Sequence, residues 1–575
     1  MNKAIGVSPG IAIGRAYVLT SSEQHIPERT MRDADLTEEL DRVVAGIHQS
    51  RSELESIRSD IRELIGEEEA GIFNAHLAIL EDPIFLNEVR EIMKLRSIGA
   101  EQAVQQATDK FANMFELLDD DYMRERADDI RDVGNRLLKH LLGDTGVLLP
   151  EMPADEPYIL VSKEVTPSGF VNLGPHNLLG IVTAMGGKTS HTAIMARAMG
   201  IPMVSGLDTR LQRTIQSGDL LIVDGDAGLI WVNPDGGLVE EYQHRIEKLE
   251  EERHSLQEII SYPPVTQDGR RLEILANISS LSELDRSIEE GVPGVGLFRT
   301  EFLFMDRSSV PGEEEQYEIY REAVEKHRGN PLVFRALDIG GDKAISYIAL
   351  PEEENPSLGL RAVRILLTRK DLFRIQLRAI LRAGAHGPIR LLLPMVGSLE
   401  ELREAKAVIQ DVKQELQDEG IAHDPAIPVG MMIEVPAAAM LADLFAREVD
   451  FFSIGTNDLV QYVLAVDRMN EAVAALYEPY HPAVLRLIRS TTQAAQQAGI
   501  PVGVCGELAG DPFALPIWLG LGVHEISMSV QSCLPVKKAL IGCSAERCEA
   551  ALLAALGCST AAEVREQLSL AWEEA

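Results

Sequence analysis

One pattern recurs eight times from residue 272 onward: LEILANI (272–278), VGLFRTE (295–301), LVFRALD (332–338), IRLLLPM (389–395), VGMMIEV (429–435), FFSIGTND (451–458), VGVCGEL (502–508) and HEISMSV (524–530). Each run has the length of a buried strand, not of a helix. Helical stretches lie between most of them, for example RAVRILLTRKDLFRIQLRAILR (361–382). Eight strands alternating with helices predict a (β/α)8 TIM-type barrel. Active sites of such barrels lie at the C-terminal ends of the strands. Polar residues fall there repeatedly: Arg299, Arg335, Glu434, Asn457 with Asp458, and Cys505. Any one of these alone reads best as a barrel-mouth salt bridge or a packing residue. Five strands ending in charged or reactive groups point to a site.

Upstream the texture differs. Residues 238–260 (LVEEYQHRIEKLEEERHSLQEII) read as a charged linker helix. Before it, YILVS (158–162), GIVTAM (180–185) and LLIVDGD (220–226) alternate with Gly-rich turns, the pattern of a compact α/β unit. Leu40, Val43, Val44, Ile47, Leu54, Ile57, Ile61, Leu64 and Ile65 recur at helical spacing, and helical patterning runs to about Asp144. From 33 to 144 there are 27 acidic and 13 basic residues, so this segment reads as a bundle with an acidic face. The expected organisation is a multidomain α/β chain. Residues 1–22 and 145–230 form an α/β domain, 33–144 an inserted helical domain, 231–262 a linker and 263–575 the barrel.

The chain has 575 residues, 45% of them hydrophobic, and a net charge of -36. That field repels phosphate backbones, which argues against nucleic acid and anionic membrane as partners and permits a basic protein partner. No apolar run reaches the ~18 residues of a membrane helix, and the N-terminus lacks a signal-peptide pattern. The five cysteines (505, 533, 543, 548, 558) are odd in number and include no CxxC pair. A cytoplasmic protein with reduced thiols fits this best.

A second candidate site is GGKTSHTAIMARAMG (186–200). Two glycines free the backbone before a helix whose N-terminus favours an anion. His191 sits there, placed to carry a phosphoryl group, and Thr189 is near enough in sequence to hydrogen-bond to it.

This string resembles the phosphohistidine loop of enzyme I of the bacterial phosphoenolpyruvate:sugar phosphotransferase system, and the resemblance covers almost the whole chain. GVSPGIAIGRA (6–16) and GEEEAGIFNAHLAILEDP (66–83) resemble the family's first strand and its docking region for the carrier protein HPr. GVGLFRTEFLFMDR (294–307), RALDIGGDK (335–343), ENPSLGLRAVR (354–364), IEVPAAA (433–439), FFSIGTNDLVQYVLAVDR (451–468) and GVCGELAGD (503–511) resemble its barrel signatures. The resemblance implies a swivelling phosphohistidine domain and phosphoryl transfer from phosphoenolpyruvate to His191 and then to HPr. It implies phosphoenolpyruvate ligands at Arg299, Arg335, Asn457, Asp458 and Arg468, with Arg361 a further contact. It places Mg²⁺ on Glu434 and Asp458, makes Cys505 the proton donor, and implies a homodimer through the barrel. The expected HPr contact combines Glu67, Glu68 and Asp82 with apolar residues near His76 and Leu80. A swing of the histidine domain about segments near 145–157 and 230–262 is expected to serve both partners.

The chemistry of these residues agrees. Arginine forks suit a carboxylate and a phosphate on one small molecule. Two carboxylates plus substrate oxygens suit a hard octahedral cation, and a thiol beside an enolate can protonate its carbon. Lys188, Ser205, Gly312 and Ser357 depart from the common family pattern without touching a proposed catalytic group. Pyruvate phosphate dikinase and phosphoenolpyruvate synthase need an ATP-grasp domain, for which no room exists before Tyr158. The nitrogen-branch form usually adds an N-terminal sensory domain, so the sugar branch is favoured. A silent scaffold would be expected to lack His191, Cys505 or a barrel arginine, and all are present.

Overall fold

The computed structural model describes residues 2–19, 26, 36–64, 72–116, 121–142, 156–163, 165, 170, 177–185, 190–208, 214–305, 307, 309–341, 345, 347, 348, 350, 351, 353–470 and 472–572. The chain forms two compact units, residues 1–251 and 252–575.

In the first unit, eight strands make one sheet: β1 (Asn2–Lys3), β2 (Ile5–Ser8), β3 (Ile11–Leu19), β4 (Tyr158–Ser162), β5 (Leu178–Thr183), β6 (Met203–Ser205), β7 (Leu220–Asp224) and β8 (Leu229–Val232), in the order β1-β8-β7-β3-β4-β5-β6-β2. Strand β3 pairs in parallel with β4, from Arg15 opposite Tyr158 to Leu19 opposite Ser162. The chain therefore leaves the sheet after Leu19 and rejoins it beside its own exit. Among the described residues, five helices lie in between: Leu36–Leu64, Ile72–Glu81, Pro83–Arg96, Ala100–Glu116 and Asp121–Leu142. Val43, Phe85, Val89, Met93, Val104, Leu137 and Leu138 pack together as one of their cores. Ser205 is buried at the end of β6, where Thr183 donates to its hydroxyl at 3.0 Å and Ser205 donates to the Met185 carbonyl at 3.0 Å.

A helix, Gly236–Glu258, leads out of this unit. Its continuation is pinned to the second unit's own fold, because Lys537 Nζ donates to the Ile260 carbonyl at 2.8 Å.

The second unit is the expected (β/α)8 barrel. Strands β9 (Glu273–Ile278), β10 (Val295–Phe298), β11 (Leu332–Arg335), β12 (Ile389–Leu393), β13 (Val429–Ile433), β14 (Phe452–Gly455), β15 (Val502–Cys505) and β16 (Glu525–Met528) close into one ring, every neighbouring pair parallel. Two apolar layers hold it. Residues such as Phe334, Leu391, Leu393, Met431 and Ile433 face the surrounding helices. Leu297, Val333, Leu392, Met432, Phe451 and Cys505 fill the interior. Strand period two separates the layers, so adjacent residues of one strand serve opposite faces. Helix starts are marked locally: Ser398 and Glu401 form a reciprocal capping box for Leu399–Asp418. Among the described residues, no helix is long and apolar enough to cross a membrane.

Candidate active site

The interior layer dictates what reaches the barrel mouth. One pleat beyond Leu297, Val333 and Met432 come Arg299, Arg335 and Glu434, and Cys505 itself ends β15. These residues, with Asp338, Arg361, Asn457, Asp458, Arg468, Tyr477 and Glu507, line one cavity of about 450 Å³. The structure thus brings together all the barrel residues proposed from sequence: Arg299, Arg335, Glu434, Asn457, Asp458, Arg468, Cys505 and Arg361.

The cavity is dense in buried charge. Arg335 ion-pairs with Glu301 and lies 3.1 Å from Asp338. Arg361 donates to both oxygens of Asp338 at 3.1 and 3.2 Å and to both oxygens of Asp458 at 3.1 and 3.2 Å. Burial alone would pull both guanidinium pKa values down, but the surrounding carboxylates outweigh it and the net shifts are upward. Both arginines are fixed cations. Glu434 is almost fully buried and accepts from the Met395 N–H at 2.6 Å through Oε1. Burial, together with the charges of Asp458 and Asp338, raises its pKa to about 8 against the pull of Arg335 and Arg361.

Several polar atoms here lack a hydrogen-bond partner among the described residues: Glu434 Oε2, Arg335 Nε and Thr456 Oγ1. Buried orphans of this kind carry a desolvation cost unless a ligand meets them. Glu434 Oε2 is also the reason residue 455 is glycine: a Cβ there would lie 2.6 Å from it. No cluster of three or more His, Cys, Asp or Glu side chains forms a metal cage among the described residues. Two carboxylates with an unmet oxygen fit Mg²⁺, which keeps waters and substrate oxygens in its shell.

Cys505 is buried, and the Ser453 hydroxyl donates to its sulfur at 3.0 Å. Burial pushes the thiol up to about 11, with Ser453, Arg335 and Arg299 pulling back only in part. It is a protonated thiol, able to donate. Cys533, Cys543 and Cys548 are buried in the helix-facing core and Cys558 is half-buried beside it, as core residues would be.

His191 opens the helix His191–Ala198, whose N-cap Ser190 accepts from the Ala193 N–H at 3.4 Å. Thr192 anchors the same turn through the Val165 carbonyl at 2.5 Å. The His191 side chain, Thr189 and Lys188 lie outside the described residues, as do Glu67, Glu68 and most of the 145–157 segment. The docking expectation rests on apolar residues near His76 and Leu80, and these two landmarks themselves face inward. Both are buried, His76 between Asp129 at 3.1 Å and Asp132 at 3.6 Å. Phe73, His76 and Leu80 follow one helical stripe that faces inward. Asp82 is exposed and caps the next helix by accepting from the Ile84 N–H at 2.8 Å. Ile84 is the exposed apolar side chain nearby, at 64%.

Sequence reasoning missed Glu301, Asp338 and Glu507. The first two end the same strand runs that supplied Arg299 and Arg335, and position alone could have flagged them. The pairing of Glu301 with Arg335, of Asp338 with Arg361 and of Glu507 with Asn457 had no sequence signal.

Comparison with known proteins bears on this arrangement. Three family models match in order along the chain: "PEP-utilising enzyme, N-terminal" over residues 3–126, "PEP-utilising enzyme, mobile domain" over 154–228, and "PEP-utilising enzyme, PEP-binding domain" over 253–544. The class these matches define is that of the PEP-utilising enzymes. Among curated proteins, the chain is 44% identical over 560 residues to the phosphoenolpyruvate-protein phosphotransferase of Geobacillus stearothermophilus, covering 97% of this chain and 96% of that one. It is 43% identical over 562 residues to that of Bacillus subtilis (strain 168), covering 98% of each. The chain belongs to the phosphoenolpyruvate-protein phosphotransferase family.

Proposed function

We propose that this chain takes the phosphoryl group of phosphoenolpyruvate onto His191 and passes it to the carrier protein HPr, releasing pyruvate. The observation that carries this reading is one cavity at the barrel mouth. It gathers Arg299, Arg335, Arg361 and Arg468 with the carboxylates of Asp338, Glu434, Asp458 and Glu507 and a protonated thiol.

Arg299, Arg335 and Arg468 with Asn457 bind the phosphate and carboxylate of the substrate as forks and point donors. Asp458 belongs to the same substrate shell. The imidazole of His191 attacks phosphorus in line, an N–P bond forms, and the bond from phosphorus to the enol oxygen breaks. The enolate's negative charge develops beside fixed arginines that need no reorganisation. Cys505 then gives its proton to the methylene carbon, yielding pyruvate, and its thiolate recovers a proton from solvent. Glu434 and Asp458 would hold Mg²⁺, which when bound neutralises phosphate charge.

The same reading assigns residues 1–22 and 145–230 to the phosphohistidine domain, 33–144 to the HPr-binding insertion, 231–262 to the linker and 263–575 to the barrel. A cytoplasmic location fits the free thiols. A homodimer through the barrel is supported by exposed Leu358, Met440, Leu441, Met469 and Leu476, all in the segments that follow β11, β13 and β14.

The test is incubation with radiolabelled phosphoenolpyruvate and Mg²⁺. An acid-labile, base-stable label on His191 that chases onto HPr is the expected result. A protein that stays unlabelled would favour a silent scaffold.

A further inference from the structure

Glu507 stands just past Cys505 at the end of β15, exposed, on the wall of the mouth cavity. It makes a reciprocal pair with Asn457, which follows β14. The Glu507 backbone N–H donates to Asn457 Oδ1 at 3.0 Å, and Asn457 Nδ2 donates to Glu507 Oε1 at 3.3 Å. The two contacts fix the amide without ambiguity. A backbone N–H can meet only the oxygen end of an asparagine, and a carboxylate can meet only the nitrogen end. A flipped amide would lose both contacts at once.

Neighbouring residues reinforce that placement. Tyr477 Oη donates to the backbone carbonyl of Asn457 at 3.2 Å, tying down its main chain. Gly506, between Cys505 and Glu507, lets the two loops close up: a Cβ there would lie 2.1 Å from Thr456 Oγ1 and 3.2 Å from Asn457 Oδ1. The chain thus carries glycine where the β15 loop must touch the β14 loop. With Nδ2 holding Glu507 through one hydrogen, its second hydrogen remains as a donor.

We propose that Glu507 is a positioning residue for phosphoenolpyruvate. Its carboxylate and backbone N–H hold the Asn457 amide in the one orientation that presents an N–H, not an oxygen, to the anionic substrate. This rests on the reading of Asn457 as a substrate ligand. A wrongly flipped amide would set its oxygen against a phosphate or carboxylate, replacing attraction with repulsion. Glu507 itself, an anion, does not touch the substrate.

The test is a double-mutant cycle, N457A, E507A and N457A/E507A, together with E507Q. Each is assayed for pyruvate formation from phosphoenolpyruvate and for phosphate exchange between His191 and phospho-HPr. The expected result is that E507A raises KM for phosphoenolpyruvate by roughly tenfold, in line with losing one charge-assisted hydrogen bond, with a smaller change in kcat. The double variant should be no worse than N457A, because the two residues act as a unit. E507Q should recover most of the loss, since a glutamine carbonyl oxygen still accepts from Nδ2. Exchange with phospho-HPr should stay normal throughout. Additive losses, an E507A enzyme with unchanged KM, or an E507Q enzyme as impaired as E507A would overturn the positioning role while leaving the substrate site intact. An N457A enzyme with unchanged KM would instead remove Asn457 from the substrate site, and the proposal with it.

Discussion

Arg361 grips both carboxylate oxygens of Asp458, at 3.1 and 3.2 Å, from a position 97 residues earlier in the chain. The same guanidinium grips Asp338 with equal geometry. One cation thus aligns two carboxylates beside Glu434, and Asp458 keeps lone pairs for a metal ion. This makes Arg361 an organiser of the site in addition to its proposed role as a contact to substrate.

Replacing Arg361 by methionine should therefore do more than weaken substrate binding. It leaves Asp338 and Asp458 buried with less compensation, a change that typically costs about 3–5 kcal/mol. A lower melting temperature and a loss of phosphoenolpyruvate turnover of about 100-fold or more are expected. Arg361→Lys keeps the charge but not the fork and should fall between. Thermal unfolding and steady-state pyruvate formation on both variants check this. An R361M protein as stable as the parent would remove the organising role.

The barrel was legible because each strand is a short apolar run, and five of the runs lead straight into a charged or reactive residue that the strand period carries into the mouth. Arg299, Arg335 and Glu434 follow from this simple geometry. What the sequence could not display is which loops touch. The pairing of Arg361 with Asp338 and Asp458, and of Asn457 with Glu507, spans 23, 97 and 50 residues. No periodicity encodes such contacts. Around His76 and Leu80 the stripe Phe73, His76, Leu80 turns inward, so the apolar part of the expected docking surface must come from neighbours such as Ile84. His76 is an interior group between two aspartates.

Gly455→Ala tests the metal reading through steric means alone. The new Cβ would press on Glu434, 2.6 Å from Oε2 and 2.9 Å from Cβ. Glu434 must shift, and with it one carboxylate of the cation site. Roughly tenfold more Mg²⁺ should be needed for half-maximal phosphorylation of His191, as when a ligand's support is disturbed. The fold should persist, because the site lies at the open mouth. A Mg²⁺ titration of both proteins decides it, and overlapping curves would separate Glu434 from the metal.

The chain cut near residue 255 should keep one half of the reaction. It retains the first compact unit, residues 1–251, which includes His191 and the helical insertion but no barrel arginine. It should exchange phosphate with phospho-HPr and be inert to phosphoenolpyruvate. Turnover of phosphoenolpyruvate by this fragment would take the barrel out of the mechanism.

Charge reversal at Glu67 and Glu68 should slow transfer to HPr, and more so at low salt, where the acidic face steers a basic partner over a longer distance. Stopped-flow or quenched transfer at two ionic strengths measures it. Ile84→Asp, on the exposed apolar side chain of the same stretch, should weaken docking at either salt. Transfer unchanged in both variants would move the docking surface elsewhere on the molecule and leave phosphorylation of His191 unaffected.

Cys505 gives the sharpest test, because its chemistry and its pH dependence are separable. Burial raises the thiol from an ordinary value of 9.0 to about 11. A group whose pKa is raised keeps its proton at every pH below the ordinary value and loses it only as pH climbs toward the raised one. Pyruvate formation should accordingly show no fall near pH 9 attributable to this thiol, and any alkaline limb it sets should lie well above that. Cys505→Ala should retain the fold and exchange between His191 and phospho-HPr, yet lose pyruvate formation by about 100-fold or more, the usual scale for removing a general acid. Cys505→Ser keeps the hydrogen-bonding shape but is a much weaker acid, so it should resemble Cys505→Ala. The pH–rate profile of the parent and both half-reactions of the two variants supply the measurement. Normal pyruvate formation by Cys505→Ala would return this residue to the interior apolar layer it shares with Leu297, Val333, Leu392, Met432 and Phe451.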